Sequence, residues 1–257
     1  MSQQRDRILR DGHRIPVLGL GTWNLTGSRC VTAVKKALEL GYRHIDTAEA
    51  YGNQAEIGDA IKAFDRSKLF LTSKVRPNHL HYDDIYKACE TTLRDLDTSY
   101  LDLYLIHWPN PSIPLKESFK ALKELVDQGK VRSVGVSNFE VDLLKESLEA
   151  SRAPVTVNQV KFHPLSYDEE LLEFCQSRGI VLTAYSPLGR GSLLSQGTIV
   201  NVAKSLGKTP AQICLKWCLQ KGAIVIPKAG SEEHLRENMD IFDWQLSEED
   251  MKRIGSQ

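Results

Sequence analysis

This 257-residue chain lacks an excess of charge of either sign, a cysteine framework and any long apolar run. Its 33 Lys and Arg balance 33 Asp and Glu. That leaves no basic field for nucleic acid and no cationic face for an anionic membrane, so neither is expected as a partner. The cysteines Cys30, Cys89, Cys175, Cys214 and Cys218 are scattered and odd in number, and read as reduced thiols of a cytoplasmic protein. Cys214 and Cys218 stand one helical turn apart with no histidine beside them, so core packing is expected there and no metal. No apolar stretch is long enough to span a bilayer, and the polar opening Met1–Asp11 does not read as a secretory leader. Linker-like and low-complexity segments are absent too, so residues 1–257 are expected to form one domain. Finally, no strand is followed by G-x-G-x-x-G. Gly19-Leu-Gly21 and Gly189-Arg-Gly191 each lack the third glycine, which speaks against a Rossmann-type site.

What is present is an alternation of short apolar runs with amphipathic stretches. The runs are Val17–Gly21, Tyr42–Asp46, Leu69–Lys74, Leu101–His107, Val131–Ser137, Val155–Gln159, Val181–Tyr185 and Ala223–Pro227. Continuous apolarity in short segments suits strands buried on both faces of a parallel sheet. Between them, Ile85, Cys89, Thr92, Leu93 and Leu96 share one helical face, as do Leu115, Phe119, Leu122 and Val126. Gly129 and Gly179 stand where helix C-terminal caps are expected, and Thr209-Pro210 reads as an N-cap followed by the first helical position. Neighbouring strand ends fall roughly 20 to 40 residues apart, as repeated strand–helix units require. Eight units close a (β/α)8 barrel, and the length fits that fold's typical size of about 250 residues. An open doubly wound sheet is the alternative. Arg7–Ile15 reads as an extra hairpin turning at Asp11-Gly12, placed to cover the barrel bottom.

The strand ends carry the chemistry, because barrel active sites are built at the C-terminal ends of the strands. The second strand ends in Asp46, the third in Lys74, the fourth in His107, the fifth in Ser137-Asn138, the sixth in Asn158-Gln159 and the seventh in Tyr185-Ser186, while Lys228 follows the eighth. Taken singly, Asp46 and Lys74 read equally well as a structural ion pair, Tyr51 as a surface aromatic and His107 as a core histidine. Ionisable or amide groups repeated at one rim are not explained by solubility.

These residues lie in a series of motifs: Gly41-Tyr-Arg-His-Ile-Asp-Thr-Ala-Glu-Ala-Tyr-Gly-Asn53, Leu105-Ile-His-Trp-Pro109, Gly135-Val-Ser-Asn138, Asn158-Gln159, Tyr185-Ser-Pro-Leu188 and Ile226-Pro-Lys228. In order and spacing the series resembles the aldo-keto reductases from about Ile15 to Met251, most closely the short prokaryotic members that reduce diketogluconate and methylglyoxal. The resemblance implies a barrel that moves hydride between a nicotinamide cofactor and a small carbonyl substrate, with Asp46, Tyr51, Lys74 and His107 as the catalytic tetrad. The chemistry is coherent. A free tyrosine, with a pKa of about 10, is a poor acid at neutrality. A neighbouring ammonium lowers that value, so Lys74 is expected to tune Tyr51, Asp46 to hold Lys74, and His107 to aim the carbonyl oxygen.

The resemblance further implies that Gly21, Thr22 and Asp46 meet the cofactor and that Ser137, Asn138 and Gln159 hold its carboxamide. Tyr185 would stack on the nicotinamide, Ser186 and Leu188 lie along the pyrophosphate, and Lys228, His234, Glu237 and Asn238 meet the adenosine end. Trp23 and Trp108 would line the substrate pocket. Two departures bear on cofactor choice: Ala229 stands where the family often has serine, and His234 where it often has arginine. Glu232 and Glu233 also open the same helix. NADPH is the expected preference, with NADH also used, in a monomer. Two other classes remain open. One is an aldolase or isomerase with Lys74 as a Schiff-base amine, which the nearby Asp46 argues against. The other is a nucleotide-sensing binding module, which the complete tetrad argues against.

Overall fold

The computed structural model describes residues 6–255. The polar opening Met1–Arg5 and the terminal Ser256–Gln257 lie outside the described residues. The eight apolar runs form parallel strands β3 (Gly19–Gly21), β4 (His44–Asp46), β5 (Phe70–Val75), β6 (Leu101–Ile106), β7 (Val131–Ser137), β8 (Val155–Lys161), β9 (Val181–Tyr185) and β10 (Ile224–Val225). They follow two hairpin strands, β1 (Asp6–Ile8) and β2 (Arg14–Pro16). Each barrel strand pairs with its sequence neighbour. The ring closes through a parallel bridge between Leu18 and Val225, where the Val225 N–H donates to the Val17 carbonyl at 2.9 Å.

Between and after the strands lie helices α1 (Gly27–Leu40), α2 (Gln54–Ile61), α3 (Tyr82–Asp95), α4 (Leu115–Asp127), α5 (Val141–Ala150), α6 (Glu169–Ser177), α7 (Gly197–Leu206), α8 (Pro210–Gln220), α9 (Glu232–Met239) and α10 (Glu248–Gly255), together with short 3-10 turns. Their ends follow local chemistry. Thr209 caps α8 in a reciprocal box with Gln212. Gly129 and Gly179 take the left-handed conformation one residue beyond the caps of α4 and α6. Cys214 and Cys218 are fully buried in α8, and no described helix is long and apolar enough to cross a membrane.

Strand pleating sorts side chains onto two faces. Leu103 and Leu105 face the barrel interior with Phe70, Val157 and Ile224, whereas Tyr104 and Ile106 join the core beneath the helices. The inward rows turn polar toward the C-terminal ends: His44 then Asp46, Thr72 then Lys74, Val157 then Gln159. A His44–Thr72 hydrogen bond at 3.0 Å joins two of these rows below the rim. At the other end, Leu9 and Ile15 of the hairpin complete the interior cluster, so the hairpin plugs the barrel.

The hairpin turn differs from expectation. The Gly12 N–H donates to the Leu9 carbonyl at 2.9 Å, and the Leu9 N–H to the His13 carbonyl at 2.8 Å. The central residues are therefore Arg10 and Asp11, neither with positive φ, while Gly12 at φ 92° absorbs the reversal. This is a three-residue loop with a glycine bulge, not a two-residue Asp-Gly turn.

The interior leaves no room for one added methyl group at Gly135 of β7. A Cβ there would lie 2.5 Å from the Val157 carbonyl oxygen and 2.8 Å from Leu105 Cδ2. Gly135→Ala is expected to destabilise the fold by about 1–3 kcal/mol through overpacking. Chemical denaturation measures this, and wild-type stability would show that the β7–β8 contact is loose.

Candidate active site

The inward row of β4 ends in Asp46 and that of β5 in Lys74, so two adjacent strands point opposite charges at each other. The Lys74 Nζ donates to Asp46 Oδ1 at 2.5 Å and to the Thr47 carbonyl at 2.8 Å. Both side chains are out of solvent, Lys74 at 0% and Asp46 at 2% exposure. A third donor bond runs from Lys74 Nζ to the Tyr51 hydroxyl at 3.4 Å. Tyr51 ends a short 3-10 turn, Glu49–Tyr51, after which Gly52 at φ 64° sends the chain into α2. The His107 ring stands edge-on to the Tyr51 ring at 5.7 Å between centroids. Four groups from three separate segments of the chain thus meet at one end of the barrel.

Burial works against charge on Lys74, but Asp46 and the Tyr51 oxygen outweigh it and hold the ammonium above its ordinary pKa. For Tyr51 burial is the largest influence and pushes the phenol up, Lys74 pulls it down, and the net direction is upward. The expectation that Lys74 brings this pKa down is corrected accordingly: burial outweighs the ammonium and the phenol is held protonated, with a cation in reach of its oxygen. Burial, then Lys74 and Arg76, lower His107 from 6.5 to about 4, so its ring is neutral at neutrality.

Over this cluster opens a cavity of about 570 Å³. Gly21, Thr22, Trp23, Asp46, Tyr51, His107, Trp108, Ser137, Asn138, Gln159, Tyr185, Ser186, Leu188 and Lys228 all line it. Lys74 lies beneath the lining. The remaining three stand apart from the cavity, on α9: His234 is exposed, Glu237 is half-buried, and Asn238 is buried against Tyr42. Trp23 and Trp108 form the rim at 43% and 48% exposure.

The polar lining residues are tied to one another. Gln159 Nε2 donates to Asp46 Oδ2 at 2.7 Å, which leaves its carbonyl oxygen for a ligand. Asn138 Nδ2 donates to the His107 carbonyl and to Ser137 Oγ, both at 3.0 Å, while Asn138 Oδ1 accepts from the Tyr185 hydroxyl at 2.9 Å. Thr22 donates its hydroxyl to the Asp46 carbonyl at 2.9 Å. Asn138 and Ser186 sit at φ 62° and 49°, a backbone region non-glycine residues seldom adopt, at the ends of β7 and β9.

Sequence reasoning passed over other contributors. Asn53 donates to the Thr22 and Leu25 carbonyls at 2.9 and 2.8 Å and accepts from the Thr47 hydroxyl at 2.7 Å, so it knits the loops after β3 and β4. It lay inside a quoted motif without a role. Arg190 lines the cavity and places its guanidinium 4.8 Å over the Trp23 ring, a contact between distant loops that no local pattern announces.

The buried rings predict a pH effect. Burial lowers both His44 and His107 from 6.5 to about 4. In the unfolded chain both take up a proton near 6.5, so as pH falls the unfolded state binds protons first. Their contribution to stability is present above about 6.5 and is lost as pH falls toward about 4. Melting temperature is expected to drop across that window, with both imidazole resonances staying at neutral positions until its lower edge. Ring titration near the ordinary value would contradict the burial argument.

Comparison with known proteins agrees with the geometry. Residues 17–256 match the Aldo/keto reductase family. An aldo-keto reductase of Mycobacterium sp. (strain KMS) is 44% identical over 251 residues, covering 96% of this chain and 91% of that protein. A glyoxal reductase of Bacillus subtilis (strain 168) is 42% identical with the same coverage, 96% and 91%. The crystal structure of a thermostable aldo-keto reductase in complex with the inhibitor epalrestat superposes with a TM-score of 0.94 at 48% identity, covering 98% of this chain and 99% of that one. The chain therefore belongs to the aldo/keto reductase family, NAD(P)H-dependent oxidoreductases that reduce aldehydes and ketones to alcohols.

Proposed function

We propose that this enzyme reduces small aldehydes, ketones and dicarbonyls with Tyr51 as proton donor and NADPH as the preferred reductant, acting as a cytoplasmic monomer built as one barrel domain. The observation that carries the reading is Lys74 Nζ, bonded to Asp46 on one side and to the Tyr51 oxygen on the other. A phenol held protonated is an acid ready to donate, and the ammonium stabilises the phenolate left behind. Neutral His107 donates a hydrogen bond to the carbonyl oxygen and fixes its approach to Tyr51. The same charged pair argues against a Schiff-base role, since an amine held protonated is no nucleophile.

The cavity suits a dinucleotide lying across the barrel mouth. Ser137, Asn138 and Gln159 would hold the carboxamide, the Tyr185 ring would carry the nicotinamide face, and Gly21, Thr22, Ser186 and Leu188 would follow the pyrophosphate. When bound, the reduced nicotinamide supplies the hydride. Lys228 is exposed at the end of the cavity. The first turn of α9 follows, with Ser231 as its cap. A cation and free amides favour a phosphate there. Glu232 is turned toward Arg236 at 2.7 Å and Lys36 at 3.4 Å, which reduces its repulsion of a 2′-phosphate. These contacts support NADPH, with NADH a weaker substitute because His234 lacks arginine's planar fork.

Tyr51→Phe is expected to lower kcat about 100- to 10,000-fold with cofactor affinity unchanged, since only the phenol oxygen is lost. Retention of more than half of wild-type kcat would remove Tyr51 from the acid role. Lys228→Ala is expected to narrow the ratio of kcat/KM for NADPH over NADH. An unchanged ratio would show that Lys228 does not read the 2′-phosphate.

A further inference from the structure

The turn that carries Tyr51 is fastened at two points to the strand that carries Lys74. The first is Lys74 Nζ on the Thr47 carbonyl at 2.8 Å, just before the turn. The second lies outside the tetrad. Glu49 opens the turn, and its Oε2 accepts the backbone N–H of Arg76 at 3.0 Å, two residues beyond Lys74. In return, Arg76 Nη2 donates to the Glu49 carbonyl at 3.1 Å. The other carboxylate oxygen, Oε1, stands 2.6 Å from His79 Nδ1 in the next 3-10 turn, Pro77–His79. Glu49 is 15% exposed, with Arg76 at 43% and His79 at 37%.

We propose that Glu49 is a positioning residue for the proton donor: through Arg76 and His79 it holds the Tyr51 turn in register with Lys74. The reason is geometric. A single 3-10 turn is poorly held by its own hydrogen bonds. The Tyr51 oxygen is 3.4 Å from Lys74 Nζ, at the long end of a hydrogen bond, so a small shift of the turn makes or breaks the contact. The Thr47 clamp fixes the entrance to the turn and Asn53 anchors its exit to the loop after β3, while Glu49 ties the turn itself to the segment that follows Lys74. Charge matters as well. The Arg76 cation acts on His107, and Glu49 is the carboxylate that faces it.

This inference rests on Tyr51 being the acid, and the test separates the two. Glu49→Gln keeps the side chain's shape and removes its charge. Single-turnover hydride transfer from bound NADPH to a small aldehyde is expected to slow on the order of 10- to 100-fold, the range that small misplacement of a reacting group produces. The dissociation constant for NADPH should stay unchanged, and the solvent isotope effect should rise as proton transfer becomes harder. In a Tyr51→Phe background the same substitution should cost nothing further, because the group it positions is gone. An equal loss in both backgrounds, or none in either, would overturn the positioning role while leaving Tyr51 as the acid. A fully active Tyr51→Phe would instead overturn the acid assignment. Should Glu49→Gln not fold, His79→Ala cuts the clamp from its half-exposed side. A slowed turnover confined to the Tyr51 background supports the proposal, and wild-type turnover refutes it.

Discussion

The buried pair of Lys74 and Asp46 is the constraint on which the rest of the site depends. Two charges withdrawn from water are unfavourable unless each remaining donor and acceptor is satisfied, and removing one partner leaves an uncompensated charge. Here compensation comes from three strands and a loop: β4 supplies Asp46, β5 supplies Lys74, β8 supplies Gln159 to the second carboxylate oxygen, and the Thr47 carbonyl takes another ammonium proton. The pairing of β4 with β5 brings the two charges together, and the ring brings β8 round so that Gln159 completes the compensation. In turn the pair aims the one polar contact left over, the bond from Lys74 to the Tyr51 oxygen, at the floor of the cavity.

That arrangement explains why the loops are stitched so densely. Asn53 joins the loops after β3 and β4, Glu49 joins those after β4 and β5, and Asn138 joins those after β6, β7 and β9. Most of these stitches set a polar side chain on a backbone carbonyl or amide, and Asn138 also accepts from the Tyr185 hydroxyl, which fixes loop geometry without filling the cavity. Part of the cost is local strain, with Asn138 and Ser186 held at positive φ where strands give way to loops. A rigid rim of this kind keeps donors aimed before a substrate arrives, the condition under which fixed dipoles favour developing charge.

The balance of burial against charge decides each group's protonation. Burial raises a phenol and lowers an imidazole, so the same dry environment that keeps Tyr51 protonated keeps His107 neutral. In those states a phenol and an imidazole can each donate a hydrogen bond. The ammonium stays charged only because a carboxylate is buried beside it. One acid, one neutral donor and one cation thus arise from a single low-dielectric pocket with one ion pair in it.

The strand–helix alternation and the polar residues that close the second to seventh strands follow from local periodicity, which is why the barrel was legible in the sequence alone, while the catalytic and cofactor roles came from the resemblance of the motifs to a family. The strand boundaries were less so: β10 is only two residues long, and the ring closes beside it through the isolated Leu18–Val225 bridge. Whether a titrating group meets burial or charge more strongly is a property of three-dimensional surroundings, so the direction of the Tyr51 shift had to come from the tertiary structure. The same holds for Glu49, Asn53 and Arg190, whose partners are remote in sequence or belong to another loop. His234, Glu237 and Asn238 stand on α9, beyond the residues that line the cavity. Sequence determined which residues stand at strand ends, because pleating and helical period are local; the barrel's closure decided which of them touch, because contact depends on how the ring brings distant ends together.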